Sequence, residues 1–374
     1  MTPALRPTTS ADDVRWMRLA LTLAARGLGN VWPNPAVGCV IVAEGRVVGR
    51  GWTRAGGRPH AEAEALARAG AAARGATAYV TLEPCAHHGR TPPCAEALVA
   101  AGIGRVVSAL EDPDPRVAGR GHARLRAEGI AVETGLCAGE AARLQQGFLT
   151  RLSLGRPMVT LKLALSLDGR IATANGESRW ITGPAARRHV HALRARHDAV
   201  LVGAGTALAD DPELTVRGLG IERQPVRVVA DTHLRLAPGS ALGRGLPEAP
   251  LWLLHGPGAD TGPWANIPAR LLEVAADART GRLDPVAALG QLGAEGLTRV
   301  LCEGGGQLGA ALLGADLVDE ICVYSAGIAL GQEGRPGLGE LGLEALADAP
   351  RFRLAESMAL GPDLLHVWRR AEAV

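Results

Sequence analysis

Lysine is almost missing from this chain: of 40 basic residues only Lys162 is a lysine, and all the others are arginine. The bias reads as a broad compositional preference for Arg, Ala, Gly and Leu. Aromatic residues make up only 3% of the sequence, so the stacking platforms on which single-stranded nucleic acid binds are scarce. A net charge of +2 is small for a protein that holds a polyanion by counterion release. Both shortages point away from nucleic acid and towards a small-molecule partner. Six cysteines in 374 residues are too few for a disulfide framework. Of these, Cys39, Cys137, Cys302 and Cys322 stand in apolar or strand-like surroundings and read as buried free thiols. No apolar run approaches the roughly 20 residues of a membrane span. The N-terminal segment carries Asp12, Asp13, Arg15, Arg18 and Arg26 where a signal peptide would be apolar. A cytoplasmic protein with no membrane partner is expected.

What is present is an ordinary globular balance, 47% hydrophobic and 21% charged, in a chain too long for one core. A helix follows Asp12 and Asp13, and a hairpin pairs Val37–Val42 with Val47–Trp52 across Glu44-Gly45. Helices and strands then alternate: helix 60–73, strand 77–82, helix 94–102, strand 105–110, helix 122–128, strand 130–134 and helix 139–154. The pattern predicts a mixed sheet covered on both faces. Gly155-Arg156-Pro157 is a junction, giving expected domains 1–155 and 156–374 with no internal repeat between them. The second half restarts with strand 158–167 and helix 184–196. Strands 199–202, 226–230 and 251–254 follow, then helix 285–292, strand 299–302, helix 308–313 and a long strand 320–330. Strands 352–356 and 364–368 close it as a hairpin.

His60-Ala61-Glu62 opens a helix, and Pro84-Cys85 followed by Cys94 supplies two thiols. One imidazole and two thiolates suit Zn²⁺, and three protein ligands leave a position for water, as catalytic zinc sites do. Zinc lowers the pKa of bound water to about 7. Glu62, two residues past the histidine, is placed to shuttle that water's protons without binding metal. A structural zinc is the alternative, with His87 or His88 as fourth ligand; otherwise these two are substrate-side or surface loop residues. The pattern resembles the zinc-dependent nucleobase and nucleoside deaminases, except that eight residues instead of two separate the cysteines.

The longer stretch is more specific. Asn34-Pro35, Gly57-x-Pro59-His60-Ala61-Glu62, Thr81-Leu82-Glu83-Pro84-Cys85-x-His87-His88-Gly89-Arg90-Thr91-Pro92-Pro93-Cys94, Glu111-Asp112-Pro113 and Val117-Ala118-Gly119-Arg120-Gly121 closely resemble the bifunctional deaminase–reductase of bacterial riboflavin biosynthesis. That family uses the long cysteine gap seen here, and the resemblance runs roughly from residue 12 to 370. It implies a cytidine-deaminase-like α/β/α domain with a mixed sheet, followed by a dihydrofolate-reductase-like α/β domain. It also implies zinc on His60, Cys85 and Cys94, with Glu62 as proton shuttle. The substrate it implies is a pyrimidine nucleotide, 2,5-diamino-6-(5-phosphoribosylamino)pyrimidin-4(3H)-one, deaminated on the ring.

In the second half, the segment Thr160 to Asp168 alternates strictly. Leu161, Leu163, Leu165 and Leu167 make one apolar face, while Thr160, Lys162, Ala164, Ser166 and Asp168 take the other. The lone lysine, kept where the chain otherwise uses arginine, suggests a need for a compact ammonium. Gly203-Ala204-Gly205-Thr206 is too short a glycine pattern for a Rossmann fingerprint, since Leu208 takes the third glycine position. Glu303-Gly304-Gly305-Gly306 leads into a helix and could cradle a diphosphate or be a plain turn.

These segments, with Gly176-Glu177-Ser178-Arg179-Trp180-Ile181-Thr182 and Leu208-Ala209-Asp210-Asp211-Pro212-x-Leu214-Thr215-Val216-Arg217, resemble the family's reductase domain. By position the resemblance carries NADPH contacts to Ala164, Trp180, Thr206, Asp210, Thr232, Gly305, Gly306, Gln307, Leu308, Gly309, Ala310 and Ala311. It carries substrate contacts to Ser178, Arg194, Leu214, Arg217 and Glu303. Arg194 and Arg217 would suit a clamp on the substrate phosphate. The implied step is hydride transfer from NADPH to the sugar C1′, giving a ribityl chain, with Lys162 and Asp210 as catalytic candidates. A homo-oligomer, dimer or tetramer, is expected. Two rivals stand beside this reading: a nucleobase deaminase with a non-catalytic or unrelated C-terminal domain, and an interaction protein built on structural zinc.

Overall fold

A computed structural model describes residues 10–86 and 92–371, which fall into two compact units, 1–154 and 155–374. Unit 1 contains helix α1 (Ala11–Ala24), strands β1 (Gly38–Ala43) and β2 (Arg46–Trp52), helix α2 (Ala61–Ala69) and strand β3 (Thr77–Val80). Helix α3 (Cys94–Ala100), β4 (Arg105–Ser108), α4 (Arg120–Ala127), β5 (Ala131–Thr134) and α5 (Ala138–Leu154) follow. The sheet order is β2-β1-β3-β4-β5, with β1 antiparallel to both neighbours and the rest parallel, so the expected mixed sheet is present. Alternation along β1 sends Cys39 and Ile41 to one core with Ala61 and Ala65 of α2. Val40 and Val42 go to the other core with Met17 and Ala20 of α1.

Glycine sets how closely the helices approach that sheet. A Cβ on Gly38 would sit 1.9 Å from the Ala20 carbonyl oxygen of α1. On Gly49 and Gly51 it would sit 2.2 Å and 2.3 Å from the Ala65 and Ala61 carbonyls of α2. Backbone therefore lies on backbone, with alanines filling the seam, and the start of α2 is held against the sheet. The N-terminus of α1 is fixed separately: Ser10 and Asp13 form a capping box, and Asp13 also accepts from Tyr79 Oη at 2.6 Å and Arg105 Nη1 at 2.8 Å.

Unit 2 contains β6 (Met158–Leu165), β7 (Arg170–Ala172), α6 (Pro184–Ala195), β8 (Ala199–Gly203), α7 (Ala204–Asp210) and β9 (Val226–Ala230). It continues with α8 (Ala241–Arg244), β10 (Leu251–His255), β11 (Arg270–Glu273), α9 (Pro285–Ala294), β12 (Arg299–Cys302) and α10 (Gly306–Gly314). It ends with β13 (Glu320–Ser325), β14 (Arg335–Pro336), β15 (Phe352–Leu360) and β16 (Asp363–Arg370). Nine strands form one sheet in the order β11-β10-β9-β8-β12-β6-β13-β16-β15, parallel except for the terminal hairpin. Buried carboxylates tie its strand starts together. Asp198 accepts from Thr298 and Arg299, joining β8 to β12, and Asp319 accepts from Val159 and Arg156, joining β13 to β6.

Three local expectations fail. Leu167 is 76% exposed and not part of the apolar face, because β6 ends at Leu165 and Ser166–Gly169 turns back. The strand expected to reach Leu330 stops at Ser325. Beyond it, the Leu330 and Gly331 amides donate to Asp168 instead of to a neighbouring strand. Cys137 is half-exposed at a left-handed turn, unlike the buried Cys39, Cys302 and Cys322.

Candidate functional site

His60 stands as the N-cap residue of α2, so its ring projects from the helix start while Glu62 lies in the first turn, only 3% exposed. Cys85 follows the end of β3, and Cys94 begins α3, where its backbone N–H donates to Cys85 Sγ at 3.3 Å. His60 Nδ1 lies 3.3 Å from Cys94 Sγ and 3.7 Å from Cys85 Sγ, and the three ligand atoms sit within 4.8 Å of one another. Contact with the Cys94 thiol, then with His60 and the amide, holds Cys85 down to about 4, while Cys94 is pushed up by the Cys85 thiolate beside it. Two sulfurs sharing one proton against an imidazole are a donor set that a divalent cation completes by displacing that proton. The residues fit zinc. Burial, and then the Cys85 charge, push the Glu62 carboxyl up to about 7, and it reaches the Cys94 thiol. His87 and His88 lie outside the described residues.

Sequence reasoning assigned no role to Glu83. Its buried carboxylate accepts four backbone N–H groups: Gly121 and His122 at Oε1 (2.8 and 3.1 Å), Gly119 and Asp112 at Oε2 (2.9 and 3.2 Å). A Cβ on Gly121 would stand 1.9 Å from the Pro84 carbonyl oxygen. The loop 112–122 is thus bound directly to the residues that lead into Cys85, which stands two positions beyond the Glu83 carboxylate. The only advance signal was the position of Glu83 beside Pro84-Cys85.

In unit 2 the polar face of β6 looks towards α6: Thr160 meets His197 just beyond that helix, and Ala164 and Val190 pack against one buried cluster. Lys162 Nζ lies 3.8 Å from Glu303 Oε2 at the end of β12. Arg194 of α6 donates to Glu303 through Nε (2.6 Å) and Nη2 (3.1 Å), and through Nη1 to the Thr215 carbonyl (2.8 Å). Burial alone would raise Glu303, but Arg194 and Lys162 bring it down to about 2. Burial lowers the Lys162 ammonium, with Glu303 and Asp210 acting against it. Arg194 is thus engaged by Glu303 and the Thr215 carbonyl, and Arg217 is exposed and paired with Glu213. Leu214 turns its side chain into the core, so only its backbone can face a ligand.

The other positions gather at the C-terminal ends of the parallel strands, where open α/β sheets bind ligands. Thr206 on α7 accepts from the Gly305 amide at 2.9 Å, joining the end of β8 to the glycine loop. Thr232 follows β9 and accepts from the Leu283 amide. Arg179 donates to the Asp210 carbonyl at 2.6 Å, tying half-buried Ser178 and 67%-exposed Trp180 to the same rim. Gly305 and Gly306 open α10, and Gln307, Leu308, Gly309, Ala310 and Ala311 continue it. Strand-end amides with small residues fit the diphosphate of a dinucleotide. His191, one helical turn before Arg194, was missed; its Nδ1 lies 3.2 Å from the Arg217 amide and 3.1 Å from the Thr215 carbonyl. Among the described residues no helix is long and apolar enough to cross a membrane.

Two family models match: the cytidine and deoxycytidylate deaminase zinc-binding region over residues 10–110, and the RibD C-terminal domain over residues 157–366. The riboflavin biosynthesis protein RibD of Escherichia coli strain K12 is 47% identical over 370 residues, covering 95% of this chain and 99% of that protein. The solved structure of Acinetobacter baumannii RibD, form 1, superposes with a TM-score of 0.87 at 42% identity, covering 96% of this chain and 99% of the other. A Thermotoga maritima protein described as a diaminohydroxyphosphoribosylaminopyrimidine deaminase/5-amino-6-(5-phosphoribosylamino)uracil reductase gives 0.84 at 34% identity, covering 96% and 98%.

Proposed function

The chain belongs to the RibD family of bifunctional deaminase–reductases of riboflavin biosynthesis, and from that premise we propose how its own residues divide the two reactions. Unit 1, residues 1–154, deaminates 2,5-diamino-6-(5-phosphoribosylamino)pyrimidin-4(3H)-one, and unit 2 reduces the ribosyl group of the product. The observation that carries the first half is the convergence of His60, Cys85 and Cys94 beside a buried carboxyl raised to about 7.

Zinc held by His60, Cys85 and Cys94 supplies the Lewis acidity that makes water nucleophilic at neutral pH. Glu62 takes the proton released as water attacks the ring carbon and gives it to the ring nitrogen, then carries the proton of the new hydroxyl to the amino group, which leaves as ammonia when the C–N bond breaks. Its burial keeps bulk water out and brings its pKa near the operating range. Glu83 holds Cys85 in place and touches nothing that reacts.

The loop from Gly305 would hold NADPH, whose hydride would go to C1′ while the C1′–O4′ bond breaks and the ring oxygen takes a proton, with Lys162 and Asp210 the candidates to assist that opening. Lys162 places a positive charge at the opened sugar, and Glu303 fixes the ammonium. Arg194 fixes Glu303 in turn. Asp210, at the end of α7, faces the same charge field. Arg217 takes the substrate phosphate. The enzyme works in the cytoplasm as a homo-oligomer.

A coupled assay tests the whole reading: the diamino-pyrimidine nucleotide is supplied while ammonia release and NADPH oxidation are followed together. Ammonia release should precede NADPH oxidation. Lys162→Ala should leave the first intact and depress the second. Ammonia without NADPH oxidation in the native chain would leave only the deaminase half standing.

A further inference from the structure

The outer edge of the unit 1 sheet carries a charge cluster that neither reaction uses, beside a cavity that none of the zinc ligands lines. A cavity of about 350 Å³ is lined by Leu23, Arg26, Arg50, Trp52 and Arg68. Arg54 stacks 3.8 Å from the Trp52 ring centroid, with Arg26 at 4.9 Å and Arg68 at 5.7 Å. Glu64 is the carboxylate that answers this cluster, and among the described residues it pairs with Arg54 and Arg68. Arg68 also donates to the Arg50 carbonyl, which pins the strand edge but neutralises nothing. Arg26 and Arg50 have no carboxylate partner among the described residues.

Three guanidiniums thus surround one indole, that of Arg50 lines the same cavity, and the four face one carboxylate. Their mutual repulsion is relieved by an anion, and the planar N–H forks match a tetrahedral oxyanion better than an ammonium would. The indole, already covered by guanidinium, serves as an apolar wall that strengthens the electrostatic attraction. A monovalent carboxylate would leave most of the charge uncompensated. We propose that this cavity binds a multivalent phosphate-class oxyanion, either free or as the phosphate of a small molecule, at a site separate from both reactions.

The probe is the full zinc-loaded chain at low ionic strength, with saturating NADPH filling the cradle of unit 2. Inorganic phosphate, pyrophosphate and AMP are titrated in turn by calorimetry and tryptophan fluorescence. Saturable pyrophosphate binding is expected, weakened tenfold or more in the Arg26→Ala/Arg50→Ala double variant and by added salt. Its fluorescence change should vanish in Trp52→Phe, and it should persist in Arg217→Ala. The double variant should release ammonia at the native rate. AMP binding more tightly than phosphate would identify a nucleotide as the occupant, and AMP binding no more tightly would identify the free oxyanion. Absence of saturable binding, or binding unchanged in the double variant, overturns the proposal.

Discussion

Arg194 and Glu303 meet in a two-point ion pair, Nε to Oε1 at 2.6 Å and Nη2 to Oε2 at 3.1 Å, and the second oxygen is also the one nearest Lys162. A guanidinium used this way positions a carboxylate. Arg194→Lys keeps the charge but loses the fork, so Glu303 should loosen and with it the Lys162 ammonium. The reductase kcat should fall about 10- to 100-fold, the loss expected for roughly 1.4–3 kcal/mol of misplaced charge-assisted bonding. A clamp on the substrate phosphate would instead raise KM with kcat little changed, and steady-state kinetics separates the two.

Glu62→Gln removes the proton shuttle but keeps the shape of the first turn of α2. Ammonia release should drop below detection while metal analysis still finds about one zinc per chain. Loss of zinc would make Glu62 a ligand instead.

The Glu83 carboxylate satisfies four buried N–H groups, and an amide in its place offers one acceptor oxygen and points donors at donors. Glu83→Gln should cost about 2–5 kcal/mol, since each buried unsatisfied donor costs about 1–3 kcal/mol. Gly121→Ala forces a Cβ onto the Pro84 carbonyl and should act at the same turn. Both variants should unfold at lower temperature and retain less zinc. Native zinc content and an unchanged Tm in both would show that the loop does not hold Cys85.

His197 is buried, donates from Nδ1 to the Leu193 carbonyl, accepts at Nε2 from the Thr160 hydroxyl, and is pushed by burial from 6.5 down to about 3. The folded state thus binds its proton less readily than the unfolded chain. Its contribution is fully present above pH 6.5 and is lost as pH falls below that value, at up to about 1.4 kcal/mol per pH unit. The Tm of the native chain should fall between pH 7 and 5 more steeply than that of His197→Gln. Parallel curves would mean that His197 keeps an ordinary pKa.

The amino-acid sequence alone determined those parts of the protein that need particular residue types at particular spacings. That His60, Cys85 and Cys94 come together was legible because a zinc-suited donor set uses few residue types, at a helix start or a strand end. The strands and helices were legible because period-2 and helical patterns are local. Where β6 ended was not, because alternation continues to Leu167 on paper while the chain turns at Ser166 to reach Arg170. The tertiary structure decided what Glu83 and Arg194 do. The partners of Glu83 are backbone amides near residue 120, which every residue type possesses and no pattern marks. Arg194 meets Glu303 across 109 positions only because β12 is inserted between β8 and β6 in the sheet. Spacing can declare a ligand, but only strand order can say which charge stands next to which.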